Sequence, residues 1–369
     1  MSKKEISAAS TDEKIKARGS VNAELRQYRQ KRFRAKKIVE KPPESYSDDV
    51  RLTVPLFDAE RTMDILEKEK GDSRKAHLLD LMEKGPDKPL AMVTDEAILR
   101  LEQLGQLYPN FDEVIELIEE SLYLHSTEDD AVINFPNILL VGEPGVGKTR
   151  FLSELGKLME TGFYSTDLSA MSAGFVLSGN SSSWSDGKPG FISNSLRDSD
   201  VANPIILIDE IDKASADARY DPMGVFHSVL EPHTASRFID EFLEIPLDCS
   251  YINFVASANY EEQIPEPIIT RMIVITIEAP TFQQVGVIAQ NIYKELRENN
   301  RWGRKFNPEL TPEIRQSMSS LAPREIRKVL QKACGKSVRR MGRESDYFSL
   351  SLADIDVKKP VTRRSVGFL

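Results

Sequence analysis

Four places in this chain carry residue types and spacings that could do chemistry. The first is Gly142-Glu143-Pro144-Gly145-Val146-Gly147-Lys148-Thr149, directly after a short apolar run at 138–141. Glycines at this spacing let backbone N–H groups turn toward phosphate oxygens; the lysine reaches the β- and γ-phosphates, and the threonine hydroxyl ligates Mg²⁺. A helix expected from about Thr149 through Met159 points its positive dipole end at the same anion. The second place is Asp209-Glu210, which ends the apolar run 205–208. Ligands of open α/β sheets bind at the carboxyl ends of strands. Asp209 is therefore placed to complete the metal shell, and Glu210 to deprotonate a water aimed at the γ-phosphate.

The third place is Asn259, at the end of the run 252–258. An amide there can orient the attacking water or report the γ-phosphate, although an isolated asparagine after a strand is ordinarily turn chemistry. The fourth is a pair of arginines, Arg271 before the run 273–277 and Arg324 at the start of a helix. Each reads either as a surface ion-pair residue or as a guanidinium that stabilises charge on a transferring phosphoryl group. Together these residues describe a site for a nucleoside triphosphate and Mg²⁺ with hydrolytic equipment. The Asn-Lys-x-Asp element that reads guanine is absent after the strands, which argues against a small GTPase.

These positions need a scaffold. The runs 138–141, 163–166, 205–208, 252–258 and 273–277 have the composition of parallel strands covered on both faces, and they alternate with helical stretches. The expected fold is α/β, a doubly wound parallel sheet of about five strands over residues 131–279. Residues 280–350 read as a smaller helical domain, with Val285, Ile288, Ala289, Ile292 and Leu296 on one face and Ile326, Val329, Leu330 and Ala333 on another. Upstream, residues 48–130 read as helical. The clearest stripe there is Phe111, Val114, Ile115, Ile118 and Leu122, opposite Glu113, Glu116 and Glu120, and it is expected to pack on the nucleotide domain. Residues 351–369 are a short basic tail.

The formal charge of −9 over 369 residues conceals an asymmetry, because residues 1–45 carry a large excess of Lys and Arg. Residues 1–47 read as a disordered basic tail. A basic helix over 23–37 that docks on nucleic acid or an acidic partner is the competing reading. Two cysteines and four scattered histidines supply neither a disulfide framework nor a zinc cluster. No apolar run reaches the roughly 20 residues of a membrane span, and the first residues lack a secretory h-region, so a cytoplasmic protein with no membrane contact is expected.

With these residues in view, the chain resembles the AAA+ ATPases, and in particular the ATPase module of the Lon proteases. The most specific stretch runs from Asp221-Pro222 through Val229-Leu230-Glu231-Pro232, Phe238, Asp240 and residues 243–250 to Ala258-Asn259 and Ile264-Pro265-Glu266-Pro267. The resemblance covers about 130–340. It implies Walker A at Lys148 and Thr149, Walker B at Asp209 and Glu210, sensor 1 at Asn259, an arginine finger at Arg271 acting on a neighbouring subunit, and sensor 2 at Arg324. It further implies a homo-oligomeric ring, usually of six subunits, with ATP and Mg²⁺ as cofactors and a protein substrate gripped by a pore loop. Here Trp184, ahead of Pro189-Gly190, takes the place of the pore aromatic. Three departures stand out: an Asn259-to-Arg271 interval one residue longer than usual, Ala322-Pro323 in place of the usual Gly-Val, and only about thirty residues after the lid, too few for a peptidase. A Lon-like ATPase without its own protease, remodelling a protein substrate, is the expectation. A nucleic-acid loader or remodeller using residues 14–41 is the rival, and an ATP-dependent assembly switch is a third reading.

Overall fold

Five short runs of β-branched and aliphatic residues pair into one all-parallel sheet: β1 (Ile138–Val141), β2 (Phe163–Asp167), β3 (Ile205–Asp209), β4 (Asn253–Ala258) and β5 (Ile273–Thr276), in the order β2-β3-β4-β1-β5. The structure, a computed structural model, describes residues 52–128, 131–170, 175–184, 186–214 and 223–357. The basic segment 23–37 and the rest of 1–47, Asp221-Pro222, and the last part of the basic tail lie outside the described residues.

Alternation along each strand sorts the sheet residues between two cores. Leu139, Ile206, Ile208, Phe254 and Ala256 enter one, and Ile138, Leu140, Ile205, Leu207 and Val255 the other. Both faces are covered, which is why the strands read as continuous apolar runs. On the first face pack the helices Ala59–Lys68 and Asp72–Lys84, through Met63, Leu66, Leu78 and Met82. The second face receives the P-loop helix Lys148–Leu158 and the helices Asp95–Leu107 and Asp112–His125. The stripe Phe111, Val114, Ile115, Ile118 and Leu122 is buried there as expected.

Residues 52–90 are not helical throughout. Thr53–Pro55 and Asp87–Pro89 form a two-stranded antiparallel ribbon around the two helices. Three-residue strands that each contain a proline are too short to show a period, so sequence pattern passes over them. The buried Lys88 fixes this ribbon to the sheet side of the molecule, donating to the carbonyls of Leu196, Arg197 and Ser199 at the end of helix Phe191–Asp198.

A C-terminal helical unit, called the lid after the family resemblance, is built from helices Phe282–Glu298, Pro312–Ser317 and Pro323–Met341 around a third core of its own, which includes Ile288, Tyr293, Ile314, Ile326 and Leu330. Thr281 caps the first of these in a reciprocal capping box with Gln284.

Candidate functional site: a phosphate cradle at the carboxyl edge of the sheet

The strand order places β1 between two strands that come much later in the chain. The carboxyl ends of β1, β3 and β4 therefore open onto one crevice, the position at which doubly wound sheets bind ligands. Gly145 and Gly147 have φ of 92° and 115°, the left-handed region that glycine tolerates, and Gly147 caps the P-loop helix. Gly142 answers a different need: an added Cβ would sit 2.5 Å from the Ile277 carbonyl oxygen. Glu143, Pro144 and Thr149 are exposed at the mouth of the loop, whereas Val146 is buried beneath it. Under the loop lies Phe111, stacked on Phe151 of the P-loop helix at 4.4 Å.

Lys148 is buried, and its Nζ donates to the carbonyls of Gly142 at 2.5 Å and Ala258 at 3.3 Å. Burial lowers its pKa, and the carboxylates of Asp209, Asp212 and Glu210 oppose that shift. Across the crevice the Thr149 hydroxyl donates to Asp209 Oδ2 at 2.8 Å. The other oxygen of Asp209, Oδ1, accepts from the Ser257 hydroxyl on β4 and from the Glu210 backbone N–H at 3.2 Å. Glu210 itself holds a left-handed backbone, φ 54° and ψ 45°, which a residue with a side chain adopts at a cost and which recurs at active sites.

Pairing in register carries the remaining parts to the crevice. Ala258 lies opposite Val141, so Asn259, half-buried, follows at the level of Gly142. Arg324 is exposed at the start of its lid helix, and its Cβ lies 3.7 Å from where a Cβ on Gly145 would be. Arg271 is placed differently. It precedes β5, whose first residue Ile273 pairs with Ile138 at the amino end of β1, so roughly 13 Å of strand separates it from this subunit's own P-loop. Its Nε donates to Glu231 at 2.9 Å, and the chain there is held by Asn137, which donates to the carbonyl oxygens of Leu230 and Arg271. Trp184 lines a separate cavity that includes no P-loop residue. Its side chain is exposed, in a loop whose neck is closed by buried Asn180, which bonds the backbone of Lys188 at 2.7 Å and 3.2 Å. The buried carboxylate of Asp240 anchors the base of that loop at the Gly190 N–H, 2.7 Å away.

Ser257 and Asp212 belong to the site although sequence reasoning gave them no role. Ser257 sits near the end of β4, which pairs with β3, and only in the fold does its hydroxyl meet Asp209. Asp212 is buried beside Lys213 at 3.0 Å, and Lys213 in turn lies over the Tyr260 ring at 4.8 Å.

Comparison with known proteins agrees with this geometry. Residues 138–279 match the family described as "ATPase family associated with various cellular activities (AAA)". Lon protease 1 of Borreliella burgdorferi is 32% identical over 255 residues, 68% of this chain and 31% of that protein. The Lon protease of Heliobacterium modesticaldum is 32% identical over 274 residues, 74% of this chain and 31% of its own length. A peroxisomal Lon protease homolog 2 of Zea mays is 33% identical over 207 residues, 55% of this chain and 23% of that one. The chain thus spans under a third of the length of these relatives. Among solved structures, a closed-state reconstruction of Hsp104 with ATPγS and FITC casein superposes with a TM-score of 0.56 at 15% identity, over 69% of this chain and 49% of that one, a likeness of fold. No helix among the described residues is long and apolar enough to cross a membrane. The match over 138–279, the strand order and the P-loop geometry agree: this stretch is an AAA-family ATPase domain, an AAA+ P-loop fold whose sequence is related to the ATPase region of the Lon proteases.

Proposed function

We propose that the chain hydrolyses ATP at the interfaces of a homo-oligomeric ring, of six copies as the family resemblance implies, and uses the turnover to remodel or translocate a protein substrate. The observation that carries the hydrolytic reading is the meeting of Thr149 Oγ1 and Asp209 Oδ2 at 2.8 Å, beside Lys148 and Glu210. Two hard oxygen donors from different elements, at the mouth of a cradle of backbone N–H groups, fit Mg²⁺, which takes few protein ligands and keeps several waters. When bound, Mg²⁺ neutralises charge on the β- and γ-phosphate oxygens.

In this reading Lys148 exchanges its carbonyl partners for phosphate oxygens, and Glu210 accepts a proton from the attacking water at its carboxylate. Asn259 orients that water, and Arg324 covers the triphosphate from the lid. Arg271 lies at the opposite sheet edge, so it acts on the ATP of an adjacent copy, which makes the ring part of the active site. Trp184, an exposed amphipathic ring on an anchored loop, contacts the substrate without sequence preference.

ATP turnover by Lys148→Ala and Glu210→Gln tests the site. Lys148→Ala is expected to lose binding, and Glu210→Gln to bind ATP without hydrolysing it. Parental turnover in either variant overturns the assignment. Stimulation of turnover by an unfolded polypeptide, lost in Trp184→Ala, tests the substrate class.

A further inference from the structure

Arg150 follows the metal-binding threonine directly, yet its side chain serves the lid. Its guanidinium pairs with Glu295 of helix Phe282–Glu298, and its Nε bonds the Tyr108 hydroxyl at 3.2 Å. The same oxygen of Glu295 takes a second guanidinium, from Arg327 of helix Pro323–Met341. One carboxylate oxygen thus joins the P-loop helix to both long helices of the lid. The side chains of Arg150, Glu295 and Arg327 are 41%, 29% and 32% exposed, more enclosed than a free surface pair, and Arg150 and Glu295 line a cavity of about 550 Å³ between the lid and the P-loop helix.

The lid's apolar core is separate from the two sheet cores, and among the described residues the other side-chain hydrogen bonds across the joint lie near the chain 107–110: Gln284 to the Pro109 carbonyl at 2.6 Å, Asn291 to that of Leu107 at 3.3 Å, and Asn110 to that of Glu278 at 3.4 Å. Arg327 stands three residues after Arg324, on neighbouring positions of one helix surface. Whatever fixes Arg327 against the P-loop helix fixes the helix that carries Arg324 over Gly145.

We infer that Glu295, clamped between Arg150 and Arg327, is a positioning residue that sets the lid angle at which Arg324 meets the triphosphate. The inference rests on the ATPase reading for its kinetic consequence and on the contacts alone for the lid angle. Removing the charge of Glu295 leaves two guanidinium groups facing each other across the joint, and their repulsion drives the lid open.

The test uses the full chain with spin labels at the exposed positions Glu120→Cys and Glu309→Cys, since the native Cys249 and Cys334 are buried. Distances between the labels are measured by pulsed electron resonance, and ATP kinetics are measured on unlabelled protein. Glu295→Gln is expected to lengthen or broaden the distance and to raise KM for ATP about tenfold, with a smaller change in kcat. Arg150→Met should follow it, and Arg150→Lys, which keeps the charge, should stay near the parent. In an Arg324→Ala background the KM effect of Glu295→Gln should vanish, because the residue it positions is gone. An unchanged distance, a KM within twofold of the parent, or additivity with Arg324→Ala overturns the clamp. If the parent hydrolyses no ATP, the ATPase reading fails, while the distance measurement still decides the clamp.

Discussion

The carboxyl edge of the sheet and the lid hold their shares of the site by different means. Lys148, Asp209, Ser257 and Asn259 stand on or beside strands whose register is locked by backbone hydrogen bonds and by apolar side chains buried on both faces. Arg324 rides on a helix with a separate core, and among the described residues Arg150, Glu295 and Arg327 form an ionic joint between it and the P-loop helix. The first region is fixed geometry, costly to deform. The second depends on exchangeable side-chain contacts, weaker and sensitive to salt, and that is the property of a part that has to move when a ligand changes.

The largest effect should come from deforming the rigid half. Gly142→Ala places a Cβ 2.5 Å from the Ile277 carbonyl, so either the P-loop or the chain after β5 has to shift. A loss of about a hundredfold in kcat/KM for ATP is expected, from misplacement of the cradle. In the lid, nothing lies within 4 Å of a Cβ on Gly335, and Gly335→Ala should leave kinetics unchanged while raising Tm. Equal kinetic losses in the two variants would erase the contrast.

Next in size is Ser257→Ala. It removes one of the groups that orient the Asp209 carboxylate, and the Mg²⁺ concentration needed for half-maximal turnover should rise about tenfold with the fold intact. Unchanged Mg²⁺ dependence would show that Thr149 and the Glu210 backbone N–H suffice to orient Asp209.

The ribbon that packs beside the sheet carries a titration. Burial pushes Lys88 down to about 8 from an ordinary 10.5. Because the folded pKa is the depressed one, the unfolded chain binds more protons between these values. The stability of the parent relative to Lys88→Met should therefore grow as pH rises from about 8 toward 10.5 and be least favourable below 8. Chemical denaturation of both proteins across that window reads the effect, and a flat difference would place Lys88 in a solvated setting.

The smallest effect belongs to the lid. Raising the salt concentration screens the Arg150–Glu295–Arg327 cluster and should raise KM for ATP about twofold in the parent but not in Glu295→Gln. An identical salt response in both would remove ionic contacts from the account of the joint.

Much of this was legible in the chain. The P-loop spacing, the five apolar runs and the acidic pair after one of them were enough for the strands and the cradle, because each feature is local and its period or spacing survives in any context. The stripe Phe111 to Leu122 was readable for the same reason. The ribbon Thr53–Pro55 with Asp87–Pro89 was not, since its strands are shorter than one detectable period. Arg150 and Glu295 stand 145 residues apart on helices whose patterns mark only the faces that pack, so nothing in either segment announces the other. Arg271 shows a middle case. Its type suggests either an ion pair or a finger, and the structure gives it an ion pair with Glu231 ahead of β5, at the end of the sheet away from its own P-loop.

What the sequence determined by itself is chemistry carried by short contiguous stretches: glycine-permitted backbone turns, a lysine and a hydroxyl at a fixed offset, and carboxylates after a strand. What only the tertiary structure decided is which distant side chains converge: Ser257 on Asp209, Arg324 over Gly145, and Glu295 between two arginines. The physical reason is that backbone preferences and periodicity act over a few residues, whereas those meetings follow from strand register and from the angle between two separately packed cores, neither of which any single segment encodes.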